Sequence, residues 1–84
     1  MLIDVVAVMP LPDFLLDLRY ENGELRRFDA KPLMMMKPWD RISSPAVFDR
    51  VKAEHGTVSW PGNIDIAPET LYLDSVPITQ EISK

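Results

Sequence analysis

The stretch from His55 to Asp65, HGTVSWPGNID, holds the only histidine of the chain and one of its two tryptophans. A histidine can serve as general base if it reaches a nucleophile or a reacting proton. Glu54 before it, or Asp65 after it, would then orient the ring. No serine stands in a recognisable nucleophile elbow, so a catalytic triad finds no support. The same residues also read as plain structure. His55-Gly56 makes a tight turn, Val58 and Trp60 a short strand, and Pro61-Gly62 its stop. Asp65 becomes a carboxylate that accepts backbone N–H groups where a helix starts near Pro68. Trp60 then belongs to the core, its N–H requiring one acceptor. Turn, strand, turn and cap is the simpler reading; His55 and Asp65 are the candidate functional residues of the alternative.

Other chemistries lack their residues. One histidine, no cysteine and scattered carboxylates give no ligand spacing for zinc or a softer metal. No stretch carries acids at alternate positions as a calcium loop would. Three glycines build no phosphate-binding loop. Thirteen acidic residues guarantee carboxylate pairs by number alone, so a pair is no sign of a hydrolase. Neither a cofactor nor a metal is expected.

Met34-Met35-Met36 is the remaining unusual run. Methionine is soft and adaptable, and suits either a core gap or a binding face. Three consecutive residues of one turn cannot all point inward. At least one methionine is therefore expected at the surface beside Leu33 and Trp39, and an exposed apolar cluster marks a contact surface. Leu33, Met34, Met35, Met36 and Trp39 are the candidate partner-binding residues.

These residues must be positioned by a small fold. A chain of 84 residues is read as a single domain, 1–84. Domains of this size bury roughly 60–65% of the surface of the unfolded chain, and their stability is about 5 kcal/mol. The apolar fraction of 46% and charged fraction of 26% are those of a globular protein. A net charge of −4, with Arg26-Arg27 set among Glu21, Glu24 and Asp29, disfavours direct binding to nucleic acid or an anionic membrane. It allows a basic protein partner, since opposite charge speeds encounter. The absence of cysteine fits the reducing cytoplasm. No signal peptide and no membrane-spanning run are read in the sequence.

The apolar run Leu2–Met9, with three valines and an isoleucine, predicts a strand buried on both faces and central in its sheet, stopped by Pro10 and Pro12. Phe14 to Tyr20 alternates as a half-buried strand, and Asn22-Gly23 predicts a hairpin. A two-residue loop would set Arg19 against Arg26. A three-residue loop with a glycine bulge sets Asp17 against Arg27 and Leu16 against Phe28. Opposite charges attract across a ladder and like charges repel, so the bulged loop is favoured. Ser43-Ser44-Pro45 and Pro68 open two short helices, near 45–52 and 68–73. Ser75–Lys84 reads as a loose tail. The expectation is an α+β fold: a small antiparallel β-meander of four or five strands with two short helices.

The runs MPLPDF, LRYENGELRRFD, KPL, VFDRV and above all GTVSWPGNIDIAPETLY resemble the DUF2442 family, bacterial domains of unknown function, over Ile3 to Asp74. The triple methionine and Arg27 stand where that family tends to carry other apolar residues. The resemblance implies a small α+β fold and no established activity. It also implies a neighbouring small protein of the DUF4160 family, in an arrangement like a toxin–antitoxin pair. Three readings follow. The first is a protein–protein interaction module, antitoxin-like, that binds such a partner, with the tail ordering on contact. The second is a small-molecule-binding domain or enzyme using His55 and Asp65. The third is a homo-oligomeric structural component that buries the methionine patch against itself.

Overall fold

The computed structural model describes residues 3–78 and has an α+β architecture. Strands β1 (Val5–Leu11), β2 (Leu15–Tyr20), β3 (Leu25–Asp29) and β7 (Val76–Pro77) form one antiparallel sheet in the order β1-β2-β3-β7. Strands β4 (Lys52–Glu54), β5 (Thr57–Trp60) and β6 (Ile64–Asp65) form a second, in the order β4-β5-β6. Between the sheets in sequence lie two 3-10 turns, Lys31–Met35 and Trp39–Ile42, and helix α1 (Pro45–Phe48); helix α2 (Pro68–Leu73) precedes β7. Seven strands among the described residues thus replace the four or five expected. Two sheets form because the prolines after Asp29 end the first ladder and turn the chain away.

The hairpin at Asn22-Gly23 has the bulged register: Leu16 faces Phe28 and Asp17 faces Arg27. Tyr20 N–H donates to the Glu24 carbonyl at 2.9 Å, and Gly23 takes the positive φ of 92° that such a loop needs. The first strand departs from expectation. β1 is an edge of its sheet, not the centre, and Val6 and Met9 are exposed. It also runs through Pro10 to Leu11, because an edge strand tolerates a residue without an N–H.

The core lies between the two sheets. Leu16, Leu18, Tyr20 and Phe28 face Val58, Trp60 and Ile64, with Ile42, Phe48, Ile66 and Leu71 filling the ends. The Phe48 ring sits edge-on to Phe14 at 5.1 Å and lies 5.7 Å from Trp60. Helix α1 is shorter than the segment expected near 45–52. Proline opens it after Ser44, but the Ser44 hydroxyl makes no cap bond and β4 begins at Lys52. Helix α2 spans the expected 68–73.

Ser75 begins the segment read as a loose tail, yet it is buried, and its hydroxyl donates to the Tyr72 carbonyl at 2.7 Å. Arg26 Nε donates to that same hydroxyl at 2.6 Å. Val76 and Pro77 then pair with Arg27 and Arg26, and Ile78 N–H donates to the Leu25 carbonyl at 2.9 Å. The rest of the tail lies outside the described residues.

Candidate functional site

The β4–β5 hairpin turns through His55-Gly56, both at positive φ. Its register sets Lys52 against Ser59 and Glu54 against Thr57; β6 then sets Asp65 against Ser59. Residues opposite one another share a face. Lys52, Glu54, Ser59 and Asp65 therefore come together on the side of this sheet away from the core. With His55 and Arg50 they line a cavity of about 590 Å³.

Glu54 is the hub of this face. Its Oε1 accepts from the Ser59 hydroxyl at 3.0 Å and lies 3.2 Å from Lys52 Nζ; its Oε2 lies 3.2 Å from His55 Nε2. The Ser59 hydrogen bond, then Lys52, holds the Glu54 carboxyl below the usual carboxylate range. A carboxylate so held is a poor proton acceptor near neutral pH. His55 stands at the rim with its side chain 86% exposed and only Glu54 as ion-pair partner among the described residues. Its ring nitrogen is not directed at a buried nucleophile.

Asp65 is not the expected helix cap. The residue capping α2 is Ala67, and no side chain bonds to that helix start. Asp65 acts through its backbone, whose carbonyl accepts the Trp39 indole N–H at 3.0 Å. Trp39 thereby ties the methionine segment to the edge of the second sheet.

That segment forms the second surface. The first 3-10 turn has Pro32 near its start and extended backbone at Met36. Leu33, Met34 and Trp39 are half-buried against the core, whereas Met35 is 92% and Met36 51% exposed. The five candidate residues thus divide into three anchors and two projecting side chains.

A model of a family of proteins of unknown function, DUF2442, matches residues 5–77. The chain belongs to this family. Neither a curated protein nor a solved structure matches the chain. The DUF2442 match runs from the first residue of β1 to the last of β7, so both sheets and both surfaces fall inside it.

Among the described residues of this DUF2442 chain, no group of three or more acidic or histidine side chains is placed to hold a metal ion. No helix there is long and apolar enough to cross a membrane. Sequence reasoning missed Glu54 as the centre of the polar face. The signal was present: a two-residue turn at His55-Gly56 puts positions 52, 54, 57 and 59 on one side.

Proposed function

We propose that this chain is a protein–protein interaction module, antitoxin-like, whose partner is a small protein encoded nearby. The supporting observation is the exposure of Met35 and Met36 on a turn anchored by Leu33, Met34 and Trp39. Flexible thioethers on a fixed base suit an adaptable contact. The net charge of −4 favours a basic partner, and the lack of cysteine fits a cytoplasmic setting. The test is co-purification of the tagged chain from its host beside a Met35→Glu/Met36→Glu variant. A basic protein recovered in stoichiometric amount with the parent chain and lost with the variant is the expected result. Equal recovery with both, or none with either, would refute the reading.

The cavity beside His55 and Asp65 favours a second reading, a small polar ligand held between Arg50, Ser59 and Asp65. Ligand-screening NMR of the parent chain and an Asp65→Ala variant separates the two readings. Only a bound small molecule shifts the amides of β5 and β6 and is lost with the carboxylate.

A further inference from the structure

The first sheet buries one face against the core and leaves the other uncovered by any described element. Its outward residues follow from the ladder registers. The central row runs Met9–Asp17–Arg27–Val76 across β1, β2, β3 and β7. One flanking row carries Ala7, Arg19 and Leu25; the other carries Leu11, Leu15 and Asp29. A sheet face turned to water is ordinarily polar. Here the outer strands and flanks are mostly apolar: Met9 is 61% and Val76 57% exposed, and a groove of about 290 Å³ opens between Ala7, Met9, Leu25 and Ile78.

The central row is antisymmetric in charge and symmetric in polarity. Apolar Met9 and Val76 stand at its ends, acidic Asp17 and basic Arg27 at its middle. A two-fold axis parallel to the strands, between β2 and β3, lays this row on itself. Asp17 then meets Arg27 of the other copy, and Met9 meets Val76. A two-fold axis across the strands would set Asp17 on Asp17, so charge selects the first. Within one chain Arg27 uses Nε and Nη2 on Asp17, at 2.7 and 3.1 Å. The third guanidinium nitrogen, Nη1, is without a partner among the described residues, and a carboxylate has about four acceptor sites. Each fork can therefore take up a second one.

We infer that the open face of the first sheet is an isologous interface that receives a second copy of this chain. The two sheets stack about 10 Å apart with their strands within about 30° of each other. The ten outward positions of these rows, each about 4.8 by 6.8 Å, cover on the order of 300 Å² per copy. That is below a standard interface, so the dimer is a weak, transient one whose register is set by the charge pairs. The dimer would present two methionine surfaces, one per copy. It does not depend on what those surfaces bind.

Sedimentation equilibrium from about 1 µM to about 1 mM spans the range in which such a contact changes state. The parent chain is expected to pass from monomer to dimer mass. Met9→Glu, on an exposed edge position, is expected to weaken association about tenfold without unfolding the chain. Asp17→Arg is expected to abolish it, and the exchange Asp17→Arg with Arg27→Asp to restore it. Met35→Glu is expected to leave it unchanged, which separates this interface from the partner surface. A parent chain that stays monomeric throughout overturns the inference. So does a dimer that survives Met9→Glu and Asp17→Arg, or one lost with Met35→Glu. A monomer that dimerises only after removal of residues 79–84 would assign the face to that segment instead.

Discussion

Trp60 and Phe48 are joined twice: the indole N–H donates to the Phe48 carbonyl at 2.9 Å, and the two rings lie 5.7 Å apart. The bond fixes the end of helix α1 to the middle strand of the second sheet. Both groups are buried, and without the indole donor the Phe48 carbonyl keeps only the longer bond from the Val51 N–H at 3.2 Å. Trp60→Phe keeps an aromatic ring but removes the shorter of the two bonds to that carbonyl and leaves space. A loss of about 2 kcal/mol is expected in urea unfolding, more than a third of the stability of a domain this size. An unchanged midpoint would show that the bond contributes nothing net.

The Tyr20 hydroxyl is buried and has no hydrogen-bond partner among the described residues. Burial pushes its phenol up to about 12, against the opposing pull of Arg26. The folded chain thus keeps the proton longer than the unfolded one. The stability tied to this group is fully present below pH 10 and lost as pH rises toward about 12. Tyr20→Phe is expected to leave stability at neutral pH unchanged or raised by up to about 1 kcal/mol, since the unpaired hydroxyl goes. It should also remove the part of the alkaline loss between about pH 10 and 12. Unfolding curves of both proteins at three alkaline pH values check this; parallel loss in both would contradict it.

Ser59 sets the acidity of Glu54 through the hydrogen bond at 3.0 Å. Ser59→Ala is expected to move the Glu54 carboxyl upward, toward the ordinary carboxylate range, in a carboxyl-detected NMR titration. The sign for stability follows. A lowered folded pKa gives stability present above the unfolded value, near 4.3, and lost as pH falls through the folded one. The variant should therefore show a weaker acid dependence. A Glu54 titration indifferent to the change would shift the cause to Lys52.

Leu71 and Met35 are apolar residues with opposite expectations. Leu71 on α2 is fully buried, and Leu71→Ala is expected to cost about 2–5 kcal/mol, which at its upper end equals the whole stability of a domain this size. Met35 is 92% exposed, and Met35→Glu should change stability by no more than about 0.5 kcal/mol. Thermal melts of the pair decide this. A large loss with Met35→Glu would mean that the methionine turn is a structural strut, and would remove it as a contact surface.

Short-range features were legible because their causes are short-range. Asn22-Gly23 turns the chain through its own φ preferences, and the charges of Asp17 and Arg27 choose the register across only a few residues. Helix α2 begins where a proline has its φ already set. The methionine segment was readable as half inward and half outward from the geometry of one turn.

From the sequence alone came the α+β class, the bulged hairpin, the helix at Pro68, the core role of Trp60 and the family resemblance. Tertiary structure decided that β1 is an edge, that Val76–Pro77 closes the first sheet, and that the Asp65 backbone accepts Trp39 while its carboxylate caps nothing. It also decided that Glu54 gathers Lys52, His55 and Ser59 on one face. Each of these joins segments whose pairing is set by which surfaces the whole chain can bury at once. A side chain's local preference carries no record of the strand that will lie beside it.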